Sequence, residues 1–169
     1  MIVVSDTTPL ITLMKISKLS LLKDLFGEVL IPGAVYEEVT SNEGFKEEAE
    51  IIINSDFVKV VSVSDKERVR LIQRVTGLDL GETEAIVLAD ESKADVLLMD
   101  EMKGRQVAKN MSLPLAGSIG VLIGALEKGL INPDEIERAV VTLKNSNRRI
   151  SEELLQMVVD KAREFRKKK

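Results

Sequence analysis

The chain has 169 residues, of which 44% are hydrophobic and 31% are charged, and its net charge is −4. This balance predicts a compact globular domain rather than a disordered or fibrous chain. Cys and His are both absent from the sequence, which excludes disulfides, thiol nucleophiles, Ser-His-Asp triads and typical zinc sites. Any catalysis would therefore depend on carboxylates, hydroxyls, Lys or Arg, and a metal held by oxygen ligands would be a hard cation such as Mg²⁺ or Mn²⁺.

The apolar runs and the two ends of the chain bear on its location and partners. The apolar runs are far too short to cross a bilayer, and the start of the chain lacks the basic segment of a signal peptide. We therefore expect a soluble, cytoplasmic protein. Residues 161–169 hold six Lys or Arg and one Glu. A solvated helix end is the favoured interpretation of this basic tail, and contact with RNA is the alternative.

Short apolar, β-branched runs alternate with longer helical patterns, which predicts an α/β fold with a mainly parallel sheet. Thr8 followed by Pro9 is typical of a helix N-cap and first turn. In chain order the predicted elements are a strand at 2–5, helices from Thr8 and at 19–26, a strand at 29–31, helices at 34–40 and 44–55, a strand at 58–63, helices at 65–75 and 81–92, a strand at 96–99, a helix at 103–111, a brief strand at 113–115, and helices at 118–128, from 132 and from 151.

The chain is expected to divide into a main domain and a last helix. Residues 1–150 are expected to form the main domain. Residues 151–169 are expected to form an amphipathic helix that ends in the basic tail. An apolar stripe on one side of such a helix usually closes the core of its own domain. We therefore expect this helix to pack on the main domain.

Acidic residues follow two of the predicted strands. Asp6 comes after the strand at 2–5, and Asp100 comes after the strand at 96–99. In an open parallel sheet, ligands bind outside the carboxyl ends of the strands, so both side chains are expected at one edge. The alternative for each is a helix cap. Thr8 is the better candidate for capping the first helix, which leaves Asp6 for a site.

Helix periodicity selects two further acids. In the helix from Glu82, a rotation of about 100° per residue places Glu82 on the apolar face and Glu84 and Glu91 in solvent. In the helix at 34–40, Glu38 flanks the apolar face and Glu37 lies on the opposite side. A buried lone carboxylate is costly, so Glu82 needs a partner, either a metal ion or the helix dipole.

Carboxylates from four separate segments would repel one another unless a positive charge lay among them. The pattern offers no buried Arg or Lys at the corresponding positions, and divalent cations are the simplest solution. A bound Mg²⁺ lowers the pKa of an attacking water and neutralises charge on a phosphodiester. Asp6, Glu38, Glu82 and Asp100 are therefore the candidate metal ligands and catalytic residues, and the chemistry they suggest is phosphodiester hydrolysis.

Four segments resemble the motifs of PIN-domain proteins. Residues 4–10, around Asp6, resemble the first motif, and residues 31–39, which end in Glu38 and Val39, resemble the second. Residues 80–89 are similar to the third motif, and residues 97–101 to the fourth. The resemblance covers about two-thirds of the chain, continues from residue 105 to residue 118, and is closest to prokaryotic members related to VapC-type toxins.

The resemblance implies a three-layer α/β/α sandwich, RNA cleavage that depends on Mg²⁺ or Mn²⁺, frequent homodimers and, for many members, an antitoxin protein that blocks the site. Many relatives have Asp at the position of Glu82, so a different metal geometry is expected here. The fourth acid is either Asp100 or Glu101, because the alignment can shift by one residue, and position in the strand favours Asp100.

Two hydroxyl residues are expected to support the site. Thr7 follows the first acid directly. Ser118 stands where relatives often have Ser or Thr near the metal, and the alternative is that it caps the apolar helix that it begins.

The leading hypothesis is a metal-dependent ribonuclease that acts as the toxin-like component of a toxin–antitoxin pair. The alternative is a catalytically silent PIN-fold module that binds RNA or protein. A phosphoacceptor receiver domain also uses an Asp at a strand end, but it normally has an acidic pair after its first strand. Asp6 is followed by Thr7 and Thr8, which disfavours that class.

Overall fold

The computed structural model describes residues 1–168 and contains short strands that alternate with helices. The strands are β1 (Val3–Ser5), β2 (Val29–Ile31), β3 (Val58–Val60), β4 (Val96–Leu98) and β5 (Leu115–Ala116). The helices are α1 (Thr7–Lys15), α2 (Ser20–Phe26), α3 (Gly33–Ser41), α4 (Lys46–Ile53), α5 (Lys66–Thr76), α6 (Leu80–Glu91), α7 (Met102–Asn110), α8 (Ser118–Glu127), α9 (Pro133–Lys144) and α10 (Glu152–Lys167).

The strands form one sheet in the order β3-β2-β1-β4-β5, and every neighbouring pair is parallel. The chain first adds strands on one side of β1 and then crosses over to add β4 and β5 on the other side. The order therefore reverses between β1 and β4, and such a switch point opens a crevice at the carboxyl ends of the strands. Asp6 follows β1, and Asp100 stands two residues after the end of β4 at this point.

Helices cover both faces of the sheet, which confirms the predicted α/β/α sandwich. Successive strand residues point to opposite faces, so Val3 and Leu98 join one core cluster while Val4 and Leu97 join the other. The first cluster contains buried residues of α1–α4 and α8–α10. The second contains those of α5, α6 and α7.

Several predicted boundaries were wrong by a few residues. The predicted helix at 44–55 is a 3₁₀ turn (Glu43–Phe45) followed by α4, because the side chain of Asn42 accepts a hydrogen bond from the Gly44 N–H and fixes a separate turn. The predicted strand at 58–63 ends at Val60. The predicted strand at 113–115 lies later, at Leu115–Ala116, since Pro114 has no N–H to donate to a neighbouring strand.

The predicted N-cap at Thr8 was also wrong. Helix α1 begins at Thr7, so Asp6 occupies the N-cap position in an extended conformation, without a side-chain hydrogen bond of the capping kind. Thr8 is the second residue of the helix, and Pro9 still lies in the first turn, where no N–H is required. Asp6 therefore directly follows β1 and is the N-cap of α1.

Helix α10 packs against α9 and α8 and buries Leu155, Val158 and Ala162. Part of the charge on the basic tail is paired, because Arg166 contacts Asp134 and Glu137 of α9. Lys169, the last residue of the predicted tail, lies outside the described residues. In the described part of the chain, no helix combines the length and the apolar character needed to cross a membrane.

Candidate metal-binding site

Asp6 is fixed by the sheet at the switch point. Its backbone N–H donates to the Leu98 carbonyl at 3.0 Å, which extends the pairing of β1 with β4 by one residue. The residue is only 3% exposed. The pKa of the Asp6 carboxyl is raised to about 8, chiefly by burial; a hydrogen bond from the Thr7 backbone lowers it, and the negative charges of Glu82, Asp79 and Glu38 raise it. Asp6 is thus an acid that the metal-free fold keeps largely protonated at neutral pH.

Glu38 approaches Asp6 from α3. Its Oε2 accepts a hydrogen bond from the Thr7 hydroxyl at 2.7 Å, so Thr7 joins the first acid to the second. Gly81, at the start of α6, allows this approach, since a Cβ at that position would lie 3.0 Å from the same Oε2. Glu38 itself is on the exposed rim, and Glu37 is exposed beside it.

Glu82 lies at the N-terminus of α6 and is 7% exposed. It forms a capping box with Asp79, in which Asp79 accepts from the Glu82 N–H at 2.8 Å and Glu82 accepts from the Asp79 N–H at 3.1 Å. Burial raises the pKa of the Glu82 carboxyl to about 7; the Asp79 backbone hydrogen bond lowers it, and the nearby Asp79 and Glu101 carboxylates raise it. Two acids of the cluster therefore resist ionisation for the same reason.

Glu84 was predicted to lie in solvent, and that prediction was wrong. It is 8% exposed, its Oε2 accepts from the Ala34 N–H at 2.9 Å, and its Oε1 lies 4.0 Å from Lys66 Nζ. Helix α6 packs against α3, α5 and the sheet, so both of its sides are covered. Glu84 caps α3 instead of facing water. Glu91, also assigned to solvent, is partly buried and accepts from the Ser64 and Asp65 N–H groups.

Asp100 is bound to the start of α8. Its Oδ1 accepts from the Ser118 N–H at 2.7 Å and its Oδ2 accepts from the Ser118 hydroxyl at 2.9 Å. Burial raises the pKa of Asp100, while these two hydrogen bonds and the positive charges of Arg105 and Arg148 lower it. The alternative role of Ser118 as N-cap was wrong, because Gly117 holds the cap position and Ser118 is the first helical residue. Its hydroxyl serves Asp100 instead of the helix.

Gly117 is required for the contact between Asp100 and Ser118, because a Cβ at Gly117 would lie 2.7 Å from Asp100 Oδ1. We predict that Gly117→Ala lowers the free energy of unfolding by about 1–3 kcal/mol through overpacking. Gly124 of the same helix has nothing within 4 Å of the equivalent position, so Gly124→Ala should raise stability by about 0.5–1 kcal/mol. Urea unfolding of both variants checks this pair, and equal shifts would contradict it.

Glu101 is exposed and lies near Glu82 and Thr8. It contributes to the raised pKa of Glu82, and its Oε1 is 3.4 Å from the Thr8 hydroxyl. The structure thus separates the two candidates for the fourth acid. Asp100 accepts two hydrogen bonds from Ser118, and Glu101 lies near Glu82.

The residues present fit a hard divalent cation in donor chemistry and charge. Asp6, Glu38 and Glu82 offer only oxygen ligands, and within residues 1–168 none of them takes part in an ion pair with Lys or Arg. Their mutual repulsion is what a bound cation would relieve. Among the described residues, however, no three carboxylates are close enough to hold a metal ion as they stand. A cation would therefore have to draw these side chains together.

Two residues near the cluster were not among the predicted site residues. Asp79 adds a charge beside Asp6 and Glu82, and the pattern of Asp followed three residues later by Glu is a signal for a capping box that could have identified it. Arg105 donates to the Met99 carbonyl at 2.8 Å and lies beside Asp100. No local pattern singles out Arg105, because its role depends on the turn after β4.

The chain has an α/β/α fold with acidic residues at the carboxyl edge of its parallel sheet. A family model described as a PIN domain matches residues 2–164. The chain therefore belongs to the PIN-domain family, whose members are generally nucleases that bind nucleic acid and typically use divalent metal ions. Neither the curated proteins nor the solved structures contain a match to this chain.

Proposed function

We propose that the protein is a ribonuclease that hydrolyses RNA phosphodiester bonds with Mg²⁺ or Mn²⁺. The observation that carries the proposal is the buried Asp6 at the switch point, whose pKa is raised to about 8 among further carboxylates. Keeping such a group in the fold destabilises it, and strained or perturbed groups of this kind concentrate at functional sites. Family membership supports a nuclease, and the choice of RNA rests on the resemblance to VapC-related members.

Asp6, Glu38 and Glu82 are the proposed ligands, with Asp100 or Glu101 as the fourth acid. A bound cation would supply neutralisation of the phosphodiester charge and a lowered pKa for the attacking water. Thr7 orients Glu38 through its hydroxyl, and the Asp79 N–H orients Glu82. The carboxyls of Asp6 and Glu82 must release their protons before they can ligate, so binding of the cation is expected to strengthen as pH rises through about 7 to 8.

Glu82→Gln provides the direct test of activity. We predict that RNA cleavage with Mn²⁺ falls by about 10²–10³-fold, because the amide oxygen is neutral and ligates a cation poorly. Glu37→Gln, one residue from a proposed ligand but exposed, should cleave like the wild-type protein. Cleavage of labelled RNA in Mn²⁺ and in EDTA measures both. Full activity of Glu82→Gln, or activity that survives EDTA, would reject the proposal.

A silent PIN-fold module is the second candidate, and one observation favours it: the acids of the described residues have not converged into a metal site. Calorimetric titration with Mn²⁺ separates the two functions. A nuclease should bind Mn²⁺ in a way that Glu82→Gln weakens. A silent module should show no such binding.

We further propose a toxin-like role in the cytoplasm, with a protein antitoxin that covers the acids and with assembly as a homodimer. These proposals rest on the resemblance alone. Expression of the wild-type protein should arrest growth of a bacterial host, and the Glu82→Gln variant should not. Arrest by both proteins alike would show that growth is inhibited by something other than the proposed cleavage.

A further inference from the structure

A cleft of about 510 Å³ adjoins the carboxylates. Asp100 and Glu101 line one part of it, Thr12 of α1 lines another, and the segment before α10 contributes Arg148 and Arg149. One surface of the cleft is therefore anionic and belongs to the candidate metal site, whereas the other is cationic. The proposed function does not use the cationic side.

Two of the residues that line this cleft each carry a buried polar atom without a hydrogen-bond partner. These atoms are the Thr12 hydroxyl, on a residue that is 0% exposed, and Nε of Arg148. Within residues 1–168, they are the two buried side-chain nitrogen or oxygen atoms that lack a hydrogen-bond partner. Folded proteins pair nearly all such groups with protein, water or a ligand. Both atoms can donate a hydrogen bond, so a group that fills the cleft beside them should offer acceptor oxygens.

The two arginines on the cationic side of the cleft are also free of ion pairs among the described residues. Neither Arg148 nor Arg149 forms an ion pair in the part of the chain that the structure describes. Arg148 is near enough to Asp100 and Glu48 to act on both electrostatically, but it is hydrogen-bonded to neither carboxylate. A guanidinium presents a planar set of donors that matches the oxygens of a phosphate.

We propose that this cleft binds a phosphate of the RNA strand next to the phosphodiester that is cleaved, through Arg148 and the Thr12 hydroxyl, with Arg149 at its exposed side. This inference rests on the proposed function, because the neighbouring carboxylates are the proposed site at which the RNA strand is cleaved. Asp100 and Glu101 would repel that phosphate in the metal-free protein, so its binding is expected to be tighter when a cation neutralises them.

Arg148→Gln tests the cleft, with Arg74→Gln as a control that removes the same charge from an exposed position in the last turn of α5. Binding of a short fluorescent single-stranded RNA in EDTA is followed by anisotropy over a series of salt concentrations, and KM and kcat are measured with Mn²⁺. Arg148→Gln should raise Kd and KM about fivefold or more and reduce the salt slope by about 0.7, the value for one phosphate contact on a single strand. Arg74→Gln should change Kd by less than about twofold.

Two further variants distinguish binding from folding. Thr12→Val removes a hydroxyl that has no hydrogen-bond partner in the protein. The melting temperature should therefore not fall, whereas the Kd for RNA should rise. Arg148→Lys keeps the charge but has no Nε, so it should retain the salt slope and lose part of the affinity. If Thr12→Val unfolds more easily and binds RNA normally, the hydroxyl is structural and the proposed contact is wrong.

The failures of the two proposals are distinguishable. A wild-type protein that cleaves RNA while Arg148→Gln and Arg74→Gln bind equally well would overturn the phosphate site and leave the nuclease intact. A wild-type protein that neither binds nor cleaves RNA would overturn both. Weaker RNA binding by Arg148→Gln alone, with normal binding by Arg74→Gln, would establish the site.

Discussion

Asp6→Asn is expected to abolish RNA cleavage and, at the same time, to make the metal-free protein more stable at pH 8. Loss of the anionic ligand should lower cleavage by about 10²–10³-fold or more. The gain in stability follows from burial, because the wild-type carboxyl is only 3% exposed and lies among other carboxylates. An amide has a similar shape and no charge to desolvate. The Asp6 carboxyl thus lowers the stability of the fold and is necessary for the proposed chemistry.

The direction of the pH effect follows from the two pKa values of Asp6. Its pKa is about 8 in the folded protein, against 3.8 as the ordinary value. Between these values the folded state binds the proton and the unfolded state has lost it, so stability falls as pH rises from about 4 to about 8. At about 1.4 kcal/mol per unit of pKa, Asp6 should lower the free energy of unfolding by about 4 kcal/mol between pH 5 and pH 8.

Urea unfolding in EDTA at both pH values measures this effect. The wild-type protein should lose stability on going to pH 8, and Asp6→Asn should lose about 4 kcal/mol less. Asp24→Asn is the matched control, since Asp24 is exposed on α2 and should leave the pH dependence unchanged. If Asp6→Asn retains the pH dependence of the wild-type protein, Asp6 does not carry the buried proton.

The sequence was sufficient to predict the class of fold and the edge of the sheet at which Asp6 lies. Alternation of strands and helices implied a parallel sheet, and the position of Asp6 after a strand implied the carboxyl edge. The structure adds the strand order, which no local pattern contains, and with it the reason why Asp6 is buried at the switch point. Helix periodicity placed Glu82 inward, in agreement with its burial.

Periodicity failed for Glu84 because it assumes that a helix has one covered side. Helix α6 is buried from Gly81 to Ala89, between the sheet and two other helices, and the second covering surface is created only by tertiary packing. Arg148 was not foreseen for a related reason. It lies in the irregular segment between α9 and α10, where position relative to the site is set by how α10 packs and not by any spacing in the sequence.

Asp100 and Glu101 are adjacent, yet their substitutions are expected to affect stability very differently. Asp100→Ala removes the acceptor of both the Ser118 N–H and the Ser118 hydroxyl, and Ser118 is 1% exposed. Leaving these buried donors without a partner should lower the free energy of unfolding by about 2 kcal/mol or more. Glu101→Ala removes an exposed side chain and should change stability by less than about 0.5 kcal/mol.

If Glu101 is the fourth ligand, Glu101→Ala should weaken Mn²⁺ binding more than Asp100→Ala does, although it affects stability less. Loss of even an outer partner of a metal site weakens binding by about 10–100-fold, so Glu101→Ala should raise the Kd for Mn²⁺ by at least about tenfold. Calorimetric titration of both variants, beside urea unfolding, decides between the two acids. An Asp100→Ala protein that folds normally but no longer binds Mn²⁺ would show that Asp100 ligates the cation directly, with Ser118 orienting it. Loss of stability without loss of Mn²⁺ binding would assign Asp100 to positioning α8, and the chemistry to the residue that follows it.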